Sequence, residues 1–321
     1  MTMTAAPALD DLEAHRRELT GYCYRMLGSS FDAEDAVQDT MVKALRASGS
    51  FEGRSSVRSW LYRIATNVCL DMLRGRQRRA VPVELGPSRP PVEASLADVL
   101  PDGSWVSPIA DDRVLPPEAD PAEFAELRES VRLAFVAALQ HLPPRQRAVL
   151  ILCEVLRWQA AEVASLVDTS VAAVNSALQR ARATLADLPA YEPADLDAEH
   201  GELLTRYVDA FARYDVDELV RLLHEDAIQT MPPFAMWLQG AENIGTWMLT
   251  VGAECRGSRV FPVSANGCPA VAQYRVDPAG GYAPWALHVL EVSAGRVSEV
   301  HSFLEAPKLF PMFGLPDHLP A

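Results

Sequence analysis

The chain has 321 residues, 49% of them hydrophobic, and a net charge of −14. That length exceeds one small core and fits two or three domains. No apolar run is long enough to span a bilayer and no signal sequence opens the chain, so the expectation is a soluble cytoplasmic protein.

The five cysteines (Cys23, Cys69, Cys153, Cys255 and Cys268) show neither Cys-x-x-Cys nor Cys/His ligand spacing. They read as small buried hydrophobes, and neither metal nor cofactor is expected. The charge is unevenly spread: +2 over residues 1–80, −6 over 81–122, zero over 123–189 and −10 over 190–321. A chain this acidic should bind DNA weakly by itself.

In chain order, the first expected helix runs from Asp10 to Leu27 and turns Leu12, Leu19, Cys23 and Met26 toward one core. The second runs from Asp32 to Arg46, with Ala36, Val37, Met41 and Leu45 facing inward. Asp35, Gln38, Asp39 and Val42 line another of its sides at spacings of three and four. A loop from Gly49 to Ser56 then offers Phe51. The third stretch, Ser55 to Arg79, opens on serines able to cap a helix and closes in a basic run. Its apolar positions Val57, Trp60, Leu61, Ile64, Val68 and Met72 recur at helical spacing. Ser59, Arg63, Asn67 and Arg74 share an adjacent flank. Arginine neutralises phosphates, and Asn and Arg read base edges by paired hydrogen bonds. From Arg54 to Arg79 seven arginines face one acid, Asp71. A solvated surface helix with a basic last turn is the competing interpretation.

Residues 81–122 are rich in Pro and Asp without sustained periodicity, as in an extended acidic linker. Helical spacing returns with Phe124, Leu127, Val131, Phe135 and Leu139, and Pro143-Pro144 starts a further helix. Trp158 to Leu185 reads as a helix-turn-helix: Asp168 and Thr169 form the turn, and Ser170 caps the second helix. That helix turns Val171, Val174, Leu178, Ala181 and Leu185 inward. Ala172, Asn175, Ser176, Gln179, Arg180, Arg182 and Ala183 lie on or beside its other face, where small and polar groups fit a major groove. A protein-packing helical hairpin would carry the same pattern.

From about Asp197 the pattern becomes mixed. Helices are expected near Leu203–Phe211, Asp217–His224 and Glu242–Val251. They are followed by alternating segments RVFPVSA, PAVAQYRV, PWALHVLEVS and GRVSEVHSFLE, with Asn266-Gly267 as the strongest turn signal. Helices first and an antiparallel sheet afterwards make an α+β domain. Trp237, Trp247, Met231, Tyr274, His288 and His301 are candidate lining for a ligand pocket. Glu291 and Glu299 form no persuasive acid–base pair with the histidines, so an enzyme is not expected.

The order DAEDAVQDT, FEGRSSVRSWLYRIATNVCLD and then clustered arginines resembles region two of bacterial sigma factors, nearest the extracytoplasmic-function (ECF) group. The resemblance implies that Asp35, Gln38 and Asp39 contact the beta-prime clamp of RNA polymerase core. It places Phe51, Ser55, Ser56, Arg63 and Asn67 near the single strand of the minus-ten element, with Arg74 and Arg76 also on DNA. Trp158–Leu185 is similar to sigma region four, which reads the minus-thirty-five element, through Asn175, Ser176, Gln179 and Arg180. It departs where Asp168 replaces the usual turn glycine and where Asn175 and Ala177 stand at positions that often carry Lys and Arg. The linker, by resemblance, threads the polymerase cleft. The last third resembles the SnoaL-like cone fold.

The expected architecture is therefore multidomain: two all-α sigma domains at 1–80 and 123–189, an acidic linker at 81–122, and an α+β cone domain at 197–321. The expected function is promoter-specific transcription initiation, modulated by the C-terminal domain and by a small-molecule ligand there. The expected partners are polymerase core and promoter DNA, without a membrane. A polymerase-independent, ligand-responsive helix-turn-helix regulator, or an isomerase- or cyclase-type enzyme in the C-terminal domain, are the alternatives.

Overall fold

The computed structural model describes residues 7–51, 53, 55–116, 120–187 and 198–321. Arg54 and the expected boundary at 189–197 lie outside the described residues. The chain forms two compact units, Met1–Arg79 with Asp112–Tyr191, and Ala80–Asp111 with Glu192–Ala321. The two helical regions thus share one unit, and the linker groups with the C-terminal third.

The first unit is helical: α1 (Leu9–Glu13), α2 (Arg16–Leu27), α3 (Ser30–Ala47), α4 (Val57–Met72), α5 (Pro121–Glu129), α6 (Leu133–Gln140), α7 (Pro144–Leu150), α8 (Ala160–Leu166) and α9 (Val171–Ala186). Local chemistry sets many of the ends. Ser29 accepts the Asp32 N–H, Ser56 the Ser59 N–H and Ser170 the Ala173 N–H, each a side-chain cap on orphan donors. Gly28, at φ +67°, closes α2 in the left-handed conformation, with its N–H on the Tyr24 carbonyl. The helix expected from Asp10 to Leu27 is broken at Ala14 and His15 into α1 and α2, yet Leu12, Leu19, Cys23 and Met26 are all fully buried.

Three facings differ from the expectation. In α4 the buried stripe is Leu61, Tyr62, Ala65, Thr66, Val68 and Cys69, while Val57, Trp60, Ile64 and Met72 are half-buried. The stripe is rotated because Tyr22 of α2 packs on Tyr62 and hydrogen-bonds Thr66. Leu45 of α3 is 43% exposed and Val171 of α9 is 44% exposed. Both sit within a turn of a helix end, where Ala44 and Val174 supply the contact.

The second unit opens with the linker and continues as α10 (Ala198–Arg213), α11 (Val216–Leu222), β1 (Leu223–Thr230), β2 (Trp237–Gln239), α12 (Ala241–Leu249), β3 (Arg259–Ala265), β4 (Cys268–Val276), β5 (Tyr282–Ser293), β6 (Arg296–Phe303) and α13 (Ala306–Leu309). The six strands form one sheet in the order β2-β1-β6-β5-β4-β3. The sheet is mixed, not wholly antiparallel, because β1 pairs with β6 in parallel. Two strands had no signal in the sequence: β1 is polar (LHEDAIQT) and β2 has three residues. At the β3–β4 turn Asn266 and Gly267 take φ +57° and +70°, as a tight hairpin requires. Leu203, Tyr207 and Phe211 of α10 and Trp247 of α12 share one core with Val271, Leu290 and Val300 of the sheet.

The linker is ordered against this domain. Arg89 donates its N–H to the Trp237 carbonyl and Leu100 to that of Pro233, each at 2.8 Å, and Asn266 donates to Ile109 at 3.0 Å. Trp105, Val106 and Ile109 are buried.

Candidate polymerase and nucleic-acid interfaces

Periodicity puts Asp35, Gln38, Asp39 and Val42 on one side of α3, and all four are exposed. Ala33, Ala36, Val37, Thr40 and Met41 occupy the buried side, so this acidic strip is free of core packing.

Arg63, Asn67 and Arg74 are exposed along and just beyond one flank of α4. Arg63 is engaged: its Nη2 donates to the Ser165 carbonyl of α8 at 3.0 Å. Arg74 pairs with Asp71 at 2.8 Å, but both side chains are largely solvated and such a pair is weak. Arg76 and Arg79 fold back onto Asp32 at the start of α3, at 2.5 and 2.7 Å. An acid in the first turn suits the helix dipole, and here it also draws in the basic run. Phe51 stacks on Trp60, ring centroids 5.0 Å apart, so Trp60 supports the loop and does not enter the core. Ser55 is exposed, and Ser56 is occupied as the α4 cap.

In the helix-turn-helix, Asp168 sits at φ +52°, which Asp adopts more readily than most residues. Asn175, Ser176, Gln179 and Arg180 are exposed together on α9, and Arg180 Nη1 donates to Ser176 Oγ at 2.6 Å.

Buried arginines between the two regions were not foreseen. Arg25, 2% exposed, donates from Nε and Nη2 to Ser130 Oγ at 3.0 and 2.6 Å. Arg147, 4% exposed, reaches the carbonyls of Met26, Gln140 and Leu142 and the Gln140 side chain. Burial pushes both guanidinium groups down to about 10. Arg58 lies between the rings of Tyr62 and Trp158, 5.3 and 5.1 Å from their centroids, and pairs with Glu18 at 2.8 Å. The one available sequence signal was an arginine in the otherwise uncharged run GYCYRMLG.

The six pocket candidates of the C-terminal domain do not converge; Met231 belongs to the hydrophobic core. His288 is on the helix-covered face, where it packs on Phe211 and bonds to Gln273 and Ser302, each at 2.9 Å. Burial holds its imidazole down at about 4. Trp247 belongs to the core of that face. His301 and Trp237 are both in register with Thr230, which puts them on the opposite face. His301 bonds Thr230 and pairs with Glu299 at 3.1 Å. Burial opposes its proton, but the Glu299 carboxylate outweighs that and raises it. Tyr274 packs on Phe310 and donates to the Pro316 carbonyl, so it anchors the C-terminal segment.

The architecture is a helical front that carries an acidic strip, a basic helix flank and a helix-turn-helix, followed by a mixed-sheet α+β domain. Family comparisons give the class: a sigma factor with a fused SnoaL-like domain. Residues 12–79 match Sigma-70 region 2, residues 132–185 match Sigma-70 region 4, and residues 204–300 match the SnoaL-like domain. The chain is 48% identical over 317 residues to the ECF RNA polymerase sigma factor SigG of Mycobacterium tuberculosis, covering 96% of this chain and 83% of that protein. It is 30% identical to SigJ of the same organism over 69% of this chain and 64% of the relative. The crystal structure of SigJ superposes with a TM-score of 0.61, covering 96% of this chain and 100% of that one at 22% identity, a likeness of fold. The chain belongs to the ECF RNA polymerase sigma factor family, and its function is to direct RNA polymerase to promoters and initiate transcription.

Proposed function

We propose that the two helical regions divide this task as their exposed faces suggest. Asp35, Gln38 and Asp39 of α3 bind the polymerase clamp. Arg63 and Asn67, with Phe51, Ser55, Arg74 and Arg76 around them, engage the opened minus-ten strand. Asn175, Ser176, Gln179 and Arg180 of α9 enter the major groove of the minus-thirty-five element. The observation that carries this reading is the separation of acid and base on neighbouring helices: the α3 strip is exposed and acidic, the α4 flank exposed and basic. Substituting Arg63→Ala and Asn67→Ala tests it. Permanganate reactivity of the melted promoter should fall while binding to core polymerase is retained; unchanged reactivity would overturn the assignment.

The C-terminal domain modulates the sigma regions and does not catalyse. This is supported by the distribution of its histidines: His288 and His301 lie on opposite faces of the sheet, His288 is enclosed by Phe211, Gln273 and Ser302, and the His301–Glu299 pair is tied to Thr230. Deleting the chain from residue 198 tests the modulator role, because promoter output in transcription with core polymerase should change.

A further inference from the structure

We infer that the C-terminal domain is a clasp for the linker of its own chain, and that release of the linker sets how far the two DNA-binding regions can move apart. The grip has three stations. At the first, the Trp237 indole donates to the Gly86 carbonyl at 2.8 Å, and Arg89 donates to the Trp237 carbonyl. At the second, Leu100 and Ala235 exchange backbone hydrogen bonds with Pro233 and Asp98, at 2.8 and 2.9 Å, around an antiparallel bridge of Val99 with Phe234. At the third, the β3–β4 hairpin takes hold: Asn266 Oδ1 accepts the Ile109 N–H at 3.0 Å, and Asp111 Oδ1 accepts the Gly267 N–H at 2.7 Å.

The contacts are a built interface. Val99, at the centre of the second station, is 62% exposed, so the segment is held through the backbones of its neighbours Asp98 and Leu100 while the Val99 side chain faces solvent. Trp105, Val106 and Ile109 are buried, and Leu96 packs on the core of the domain. The start of the linker is pinned as well: Ala80 donates to Ser104 and accepts from Val106, at 2.9 and 3.2 Å.

The consequence is one of reach. Residues 80–111 connect the two stretches of the helical unit. Free, roughly thirty residues behave as a coil with an end-to-end distance of about 30 Å, and stretched they span about 100 Å. Clasped at both ends and between, they supply almost none of that length. The regions on either side are also joined directly by the Arg25–Ser130 and Arg147–Met26 bonds, so they gain independence only when those bonds break and the clasp opens as well. The grip rests on the contacts described; its effect on transcription rests on the reading of the C-terminal domain as a modulator.

The test uses the full-length chain with the three substitutions Trp237→Phe, Asn266→Gly and Asp111→Ala. Glycine keeps the left-handed backbone at position 266 and removes the side-chain acceptor. Hydrogen–deuterium exchange should show residues 86–111 protected in the wild type. In the variant they should exchange at least about tenfold faster, with β4–β6 unchanged, and promoter output with core polymerase should shift. Wild-type linker amides exchanging at the rate of an unfolded peptide would overturn the clasp. A loosened linker with unaltered transcription would leave the grip standing and overturn its regulatory role. Should the triple variant unfold, Val99→Cys with Phe234→Cys asks the converse question. Oxidation of the two thiols to a disulfide by added diamide should lock the second station and change transcription reversibly with reductant, relative to wild type treated alike. A pair that fails to close would show that the station does not exist in solution.

Discussion

Arg147 of α7 donates a guanidinium N–H to the main-chain oxygen of Met26, the penultimate residue of α2, and thereby caps a helix of region two with a cation from region four. Its terminal nitrogens also satisfy Gln140 and Leu142, and Gln140 Nε2 donates in turn to the Arg25 carbonyl at 3.3 Å. A helix C-terminus favours positive charge, and burial strengthens both the benefit and the penalty of leaving these acceptors unmet. Arg147→Ala should therefore destabilise the helical unit by about 3 kcal/mol, since it strands several buried carbonyls. Urea denaturation of the full chain would show this as a lower midpoint, and Arg147→Lys should recover only part of the loss.

The acidic strip of α3 makes a prediction about assembly. Asp35→Arg combined with Asp39→Arg alters exposed side chains only, so the melting temperature should change little. Binding to core polymerase in a pull-down or by fluorescence anisotropy should weaken by at least tenfold, or about 1.4 kcal/mol. Full binding by the double variant would remove the clamp contact from this face.

Asp168 occupies a left-handed backbone position in the turn between α8 and α9. Asp168→Gly should leave region four as stable or more stable by up to about 1 kcal/mol, because glycine carries no Cβ penalty there. Asp168→Val should cost about 2 kcal/mol, because a β-branched side chain resists that conformation. Thermal unfolding of the two variants compares them directly; a more stable valine variant would contradict the turn geometry.

His288 makes the C-terminal domain acid-sensitive. Its folded value of about 4 lies below the ordinary histidine value because burial disfavours the charged ring. The unfolded chain therefore takes up the proton first as pH falls below about 6.5, and stability is lost down to about pH 4. The full effect is about 3 kcal/mol. His301 acts oppositely: its raised value adds stability at low pH that is lost as pH rises through its folded value. His288→Gln should flatten the acid limb of a stability–pH curve, and an unchanged slope would show that His288 does not set it.

Gly281 is the point where the C-terminal segment meets the β4–β5 turn. A Cβ there would stand 2.2 Å from the Leu319 carbonyl oxygen, and the backbone is at φ +74°. Gly281→Ala should displace residues 315–321, breaking the paired hydrogen bonds of Tyr282 with Leu319, each 2.9 Å. Faster trimming of the C-terminus by carboxypeptidase would report it; resistance equal to wild type would refute it.

The sequence alone determined the features that depend on a few neighbouring residues. Ser56 and Ser170 announced helix starts, Asn266-Gly267 announced a hairpin, and the spacings of Asp35 with Asp39 and of Arg63 with Asn67 placed those side chains on exposed helix faces. Caps, turns and helical period are local, so residue identity specifies them. Tertiary structure alone decided that Arg25 and Arg147 are buried and that Arg76 turns back to Asp32. It also rotated the buried stripe of α4, placed β1 beside β6, and put His288 and His301 on opposite faces. Each of these depends on which distant element comes to lie alongside. The linker is the clearest case: its grip on the C-terminal domain runs largely through main-chain N–H and C=O groups, and the side chains that join in, Trp237, Asn266 and Asp111, meet main-chain partners, so no pairing of side chains in the sequence records it.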